Sequence, residues 1–265
     1  MKISVIIPSR LQPNPLSQFG NLHLDNALLS VAAQQEVDVD ALEVVVGLDQ
    51  GALERVPARF LGNPAPGQPV IRFVESTGEG QARAVNAAVR DSTGDVLAFL
   101  EDDDLWENER LRRGLEHLEQ GFGFVSASQR EVAEDEWRSF LRYNDFPTPS
   151  GWVMPRATWE QVGPLNEGFR WHVDTEWLGR AERAGVKRVH QVDPGGRDRL
   201  LAPGSWLANV RRHSAIAVMR ALDPLVQRLR NGGGGMTMIA SSPMARAQSI
   251  REHELMTEQF GGIPW

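Results

Sequence analysis

The sequence predicts an α/β fold with a mostly parallel central sheet, helices on both faces and a helical C-terminal extension. Three observations carry this expectation. Short, near-continuous apolar runs recur through the first half, as expected of strands covered on both sides. Segments with apolar residues at helical spacing alternate with those runs, the pattern of a parallel sheet. Polar and acidic residues gather where the runs end, and ligands of such sheets bind beyond the carboxyl ends of the strands.

The elements follow in order. Residues 3–7 form an apolar run stopped by Pro8. Leu24, Ala27, Leu28 and Val31 fall at helical spacing in a segment reaching about residue 35. Residues 42–48 and 70–74 read as the next two strands, and a helix follows over roughly 80–90. The turn pair Gly94-Asp95 introduces a fourth strand over 96–100. Leu105, Leu111, Leu115 and Leu118 mark the next helix, and residues 122–125 the next strand. The second half is less regular and rich in tryptophan. Asp174-Thr175-Glu176-Trp177 opens a helix that closes at Ala184-Gly185. Asn231 followed by Gly232–Gly235 is a flexible break near the end.

Composition limits the functions available. At 265 residues the chain can build one elaborated α/β domain. Its net charge of −7 argues against a general nucleic-acid binder, whose affinity rests on cationic neutralisation of phosphates. The absence of cysteine excludes disulfides, thiolate metal sites and cysteine nucleophiles. No signal peptide and no apolar run long enough to span a bilayer is visible, so a cytoplasmic location is expected. No G-x-S-x-G elbow is present, which disfavours a serine hydrolase.

The chemistry concentrates in Glu101-Asp102-Asp103-Asp104. A buried strand ending in four acids delivers mutually repelling carboxylates to the sheet edge, where a cation would relieve them. A hard divalent ion, Mn²⁺ or Mg²⁺, takes one or two carboxylates together with substrate phosphates. The alternative is a helix start, where acids complement the helix dipole, and Asp104 or Glu107 could serve only that role. Asp174 has two readings as well, a helix cap and a catalytic carboxylate. Trp152 and Trp171 could stack on a sugar, although tryptophans more often anchor cores.

Taken together, these residues resemble the family 2 glycosyltransferases of the GT-A, Rossmann-like fold. The resemblance rests on Ile3–Ser9, Ser30 and Gln34, Asp49-Gln50-Gly51, the stretch from Gly80 to Asn86, Phe99–Trp106, and Val162–Phe169 with Asp174 and Arg180. It covers about residues 3–215 and implies a nucleotide-sugar-dependent, metal-dependent transferase that inverts the anomeric carbon, with UDP the favoured nucleotide. It further implies that Pro8, Ser9 and Asp49 line the nucleotide; Arg10, next in the chain, is expected to bind there too, and Arg83, at the loop-to-helix entry that begins at Gly78, is expected near phosphate. Asp102 would approach the ribose or diphosphate, and Asp103 with Glu101 would bind the metal. Asp174 would deprotonate the acceptor hydroxyl, and His213 would reach the diphosphate. Glu101 stands where a first aspartate is usual, Arg10 where an aromatic is common, and the stretch 11–21 is longer than usual.

The expected organisation is a nucleotide-sugar-binding half over 1–125 and an acceptor-binding half over 126–215, followed by a helical tail or lid over 216–265. Nine arginines between 195 and 251 give that end a basic character, compatible with peripheral membrane contact or a homodimer interface. The acceptor could be a saccharide, lipid, peptide or small metabolite. A sugar nucleotidyltransferase and a non-catalytic nucleotide-sugar or glycan-binding module are the competing functions. The former expects a glycine-rich, basic loop after the first strand, which Pro8–Pro13 does not supply.

Overall fold

A computed structural model describes residues 1–14, 17, 20–38, 41–64, 67–133, 140–144, 146–191, 199–201, 226–230 and 243–261. Its centre is an eight-stranded sheet. Along the chain, β1 (Ile3–Ser9), β2 (Leu42–Leu48), β3 (Val70–Glu75) and β4 (Val96–Phe99) come first. Strands β6 (Phe124–Ala127), β9 (Val153–Pro155), β10 (Arg188–Gln191) and β11 (Arg199–Leu201) complete it, in the spatial order β11-β10-β6-β9-β4-β1-β2-β3. Strands β1, β2, β3 and β4 pair in parallel, as do β6 and β10, while β9 runs antiparallel between β4 and β6. The mostly parallel α/β sheet expected from the sequence is therefore present.

Alternate residues of the strands enter two cores. Val5, Ile7, Val44, Val46, Ala98 and Leu100 face one side with α1 (His23–Ala32) and Leu111 of α3 (Arg110–Glu119). Ile6, Val45, Leu97 and Phe99 face the other, against α2 (Gln81–Asp91), α4 (Arg156–Val162) and α5 (Val173–Arg183). Each Val, Leu, Ile or Phe side chain among them, fully buried, contributes about 1.5–3 kcal/mol. Close contact on the second face depends on Gly47: a Cβ there would lie 2.0 Å from the Ala84 carbonyl oxygen, so no larger residue lets α2 approach β2.

The tryptophans of the second half explain the second face. Trp152 and Trp177 are fully buried, with ring centroids 4.9 Å apart, and Phe99, Phe124 and Trp159 complete the cluster. Trp152 is thus a core residue, not a sugar platform. Trp171 is half-buried beneath the Arg170 guanidinium.

A smaller sheet, ordered β5-β12-β7-β8, packs beside the first. Its members are β5 (Asp104–Trp106), β7 (Gln129–Ala133), β8 (Phe140–Asn144) and β12 (Val226–Arg230). The helix expected from Leu105 onward is corrected here: residues 104–106 form β5, paired with β12, and α3 begins only at Arg110. The long-range strand pairing is not visible in the local leucine spacing. The last helix, α6 (Pro243–Phe260), buries Met256 in the second core. The glycine-rich break at 231–235 lies outside the described residues. Among the described residues no helix is long and apolar enough to cross a membrane.

At the opposite, amino end of the strands, Glu43 ties three elements together. Burial alone would raise its pKa, but hydrogen bonds from Ser4, Thr93 and Lys2 outweigh it and hold the carboxyl down to about 2. Ser4 Oγ donates at 2.6 Å, the Thr93 amide at 2.6 Å, and Arg72 pairs with the second oxygen at 3.0 Å. A depressed folded pKa adds stability above the unfolded value and loses it as pH falls. Wild-type stability should therefore drop between pH 4.5 and about 2 through this group. Glu43→Gln should cost about 2–3 kcal/mol at pH 7 and flatten that part of the acid limb. Urea unfolding at pH 7, 4.5 and 3 measures both effects; equal stability of variant and wild type at pH 7 would refute the assignment.

Candidate active site

The carboxyl ends of β1, β2 and β4 converge on one lip. Ser9, the last residue of β1, donates its hydroxyl to Asp102 Oδ2 at 2.5 Å and accepts the Leu11 amide at 3.0 Å. Asp49, just past β2, accepts the Gly80 amide at 2.8 Å. Gly80 has φ +113°, a conformation that L side chains rarely adopt, so glycine is required at this entry to α2. The next residue, Gln81, donates to Glu101 Oε1 at 2.6 Å. Consecutive residues of α2's entry thereby link Asp49 to the acidic turn. The expectation that Asp49 and the four acids share one edge is met in this geometry.

Each acid of the turn has its own environment. Asp104 is fully buried and accepts the Ser150 hydroxyl at 2.5 Å, while the Glu101 amide donates to the same Ser150 Oγ at 3.0 Å. Asp104 is therefore part of the frame that shapes the turn, not a helix-start residue. Asp102 is raised to about 7 by burial and by the charge of Asp103, with Glu101 adding to the rise; hydrogen bonds from Ser9 and the Arg10 amide oppose it. Such mutual repulsion is what a divalent cation would relieve, so the donor chemistry fits a hard metal ion. Among the described residues, no three His, Cys, Asp or Glu side chains form a ready-made cage. A hard ion at this turn would draw its remaining oxygens from a bound phosphate. Asp103 and Glu101 are the residues that would hold it.

The turn is held from behind by residues of the sequence pattern. Ser30 accepts the Trp106 amide at 3.2 Å. Gln34 donates to the Glu107 carbonyl at 2.9 Å and accepts the Leu111 amide at 2.8 Å. Trp106 is buried and donates its indole N–H to the Ser150 carbonyl at 2.7 Å. Asn86 both donates to and accepts from the Leu165 backbone at 2.9 Å, stapling α2 to the block around 162–169. Arg180 forks onto Glu176 at 2.9 Å and donates to the carbonyls of Val162 and Pro164, both at 2.7 Å. These residues serve as scaffold.

Asp174 lies in the first turn of α5 and accepts the Thr175 amide at 2.7 Å. Burial raises its pKa, and the charge of Glu101 raises it further, against the Thr175 hydrogen bond and the influence of His172. Asp174 and Glu101 therefore sense one another across a large gap in sequence. The cap reading is corrected here: His172 is the N-cap residue of α5, and Asp174 lies inside the first turn, where its Oδ1 takes both Thr175 bonds.

A cleft of about 170 Å³ opens beside this lip, lined by Arg10, Gln81, Arg83, Glu167, Arg170 and Gln248 among others. Arg83 pairs with Glu167 at 2.8 Å. Pro8 lies within β1, in register with Gly47. His213 lies outside the described residues. Sequence reasoning missed Ser150, Gln81 and the contribution of α6. Ser150 sits in an unremarked turn, and no local pattern marks the polar face of α6 as inward-facing.

This arrangement of strand ends and acids belongs to a recognisable class. Residues 4–176 match the family described as Glycosyl transferase family 2, and the chain belongs to that family. An uncharacterized glycosyltransferase of Nostoc sp. is 28% identical over 196 residues, which cover 65% of this chain and 56% of that protein. The chain thus spans about half the length of this curated relative. Among solved structures, S. aureus TarS 1-349 in complex with UDP-GlcNAc is similar at 13% identity and TM-score 0.57, covering 89% of this chain and 61% of that one. The mannosyltransferase PcManGT from Pyrobaculum calidifontis, in complex with GDP-Man and Mn2+, is similar at 17% identity and TM-score 0.54, covering 97% and 75%. These likenesses show the GT-A fold.

Proposed function

We propose that the chain is a metal-dependent, inverting glycosyltransferase that moves a sugar from a nucleoside-diphosphate donor, UDP favoured, to an acceptor hydroxyl. The observation that carries this reading is the acidic turn at the carboxyl edge of the sheet of a family 2 chain, tied to β1 through Ser9–Asp102 and to the entry of α2 through Gln81–Glu101. In the proposed reaction Asp174 takes the acceptor proton as the hydroxyl oxygen bonds to the anomeric carbon. The bond from that carbon to the diphosphate oxygen breaks, and the nucleoside diphosphate leaves. A carboxylate base of this kind contributes about 10²–10⁴-fold. When bound at Asp103 and Glu101, the metal would supply charge neutralisation at the departing diphosphate. Ser9, Arg10 and Asp49 would bind the nucleotide, and Arg83 would lie near phosphate.

The UDP-GlcNAc and GDP-Man complexes of the two similar structures support a nucleotide-sugar donor, and the Mn2+ of the latter supports a divalent ion. The acceptor is proposed only as a hydroxyl-bearing saccharide, lipid, peptide or small metabolite. A cytoplasmic setting belongs to the same proposal, since a cysteine-free chain needs no oxidising compartment.

Thermal-shift screening against UDP- and GDP-sugars, with Mn²⁺ or with chelator, tests the reading. A bound donor at a hundred times its Kd stabilises by about 2.7 kcal/mol, a shift of several degrees. The expected result is a shift that requires the metal. Equal shifts in chelator would refute the metal dependence. Saturable binding without nucleoside diphosphate release on any acceptor would instead indicate a binding module.

A further inference from the structure

The segment just before α5 is held by a side chain from the far end of the chain. Glu252 of α6 is 3% exposed. Its Oε1 accepts the Arg170 amide at 2.9 Å, and its Oε2 accepts the amides of Trp171 at 2.8 Å and His172 at 3.1 Å. Three successive backbone donors thus converge on one carboxylate. His172 is the N-cap residue of α5, and Asp174 follows two residues later. A second bond reinforces the clamp, between His172 Nε2 and Ser249 Oγ at 2.9 Å. Helix α6 is itself anchored by Met256, 1% exposed in the second core, and by Phe260 beneath the Arg183 guanidinium. One turn earlier, Gln248 donates to Glu252 at 3.2 Å and lines the cleft beside the acidic turn.

A carboxylate at this position does more than fill hydrogen bonds. The amides ahead of a helix are otherwise unsatisfied donors, and a negative charge there complements the helix dipole. Rigid bonding of 170–172 sets where α5 begins, and the start of α5 sets where Asp174 points. A displacement of about 1 Å in a reacting group can cost on the order of a hundredfold in rate.

We propose that Glu252 is a positioning residue for sugar transfer: from α6 it clamps the backbone of residues 170–172 and thereby fixes Asp174 in its working orientation. This rests on the reading of Asp174 as the base. Glu252 touches no reacting atom; it acts through the backbone that carries Asp174. The last helix is accordingly part of the active centre and not only a packing element.

The test uses the full chain with Glu252→Gln, Glu252→Asp, Asp174→Asn and the double variant Glu252→Gln/Asp174→Asn. Hydrogen–deuterium exchange reads the clamp without any donor. In Glu252→Gln the amides of 170–172 and of the first turn of α5 should exchange faster; unchanged exchange at the first turn of α5 overturns the proposal. UDP-GlcNAc and GDP-mannose with Mn²⁺ serve as turnover probes, read as nucleoside diphosphate release. Glu252→Gln should lower kcat by about ten- to a hundredfold with donor KM within about twofold, and Glu252→Asp, which keeps the charge, should recover part of the loss. Added to Asp174→Asn, Glu252→Gln should cost nothing further, because it acts through that carboxylate. A merely structural role would give a further, additive loss and a shifted KM, which would overturn the proposal. If Asp174→Asn keeps full activity, the base reading fails, and the proposal falls with it. If Asp174→Asn is inactive while Glu252→Gln is fully active, the base stands and the positioning role alone is refuted. Should Glu252→Gln fail to fold, Glu252→Asp carries the same comparisons.

Discussion

Replacing Asp103 with asparagine should abolish the Mn²⁺ enhancement of nucleoside diphosphate binding and lower turnover by about a thousandfold. That loss corresponds to roughly 4 kcal/mol of transition-state stabilisation, within the several kcal/mol a bound divalent ion supplies. The shape of the turn should survive, because its frame is Ser150, Asp104 and Trp106. Calorimetric titration of UDP and GDP with and without Mn²⁺ measures the binding effect; a variant whose affinity still rises with Mn²⁺ as in wild type would remove Asp103 as a metal ligand.

The same substitution has a consequence in metal-free protein. Asp102 has a folded pKa raised to about 7, in part by the charge of Asp103. A raised carboxyl pKa means that the folded state binds more protons than the unfolded state between about pH 4 and 7. Stability from this group is therefore present at low pH and lost as pH rises through 7. Asp103→Asn lowers the repulsion, so the metal-free variant should melt above metal-free wild type at pH 7.5, with the gap closing toward pH 5.

Asp174→Asn should reduce kcat by about 10³-fold or more while donor affinity changes by no more than about twofold. Asparagine keeps an oxygen to accept the Thr175 amide, so the start of α5 should remain intact and the melting temperature nearly unchanged. Burial and Glu101 raise the pKa of Asp174, and a base must be ionised to act. Turnover should accordingly rise with pH through that raised value. Steady-state kinetics with a working donor across pH 5–9 check both features. Full activity in the variant would assign the proton transfer elsewhere.

Much of this site was legible because its parts are local. Residues 96–104 carry an apolar strand and its acidic exit within nine positions, and the strand forces the acids to the sheet edge. The turn at Asp49 and the entry at Gly80 were legible for the same reason. What escaped depends on partners far apart in sequence. Nothing around Leu105 announces that residues 104–106 pair with β12, so the leucine spacing suggested a helix too early. Trp152 looked equally suited to a sugar face or a core, and only its contacts with Phe99, Phe124 and Trp177 decide for the core. Glu252 is one of several acids on a polar helix with almost no apolar stripe. Only the docking of α6 shows which of them turns inward. Ser30, Gln34 and Asn86 fitted the family pattern, and their hydrogen bonds supply the physical reason: each joins two elements whose spacing the site requires.

The pairing of Trp106 with Val226 also bears on how the protein comes into being. On the ribosome, the strand that follows the acidic turn waits for its neighbour until residues 226–228 have emerged. Such distant pairings slow folding and leave sheet edges exposed to other nascent chains in the meantime. The strand that follows the acidic turn is thus completed only after residue 226 has been made.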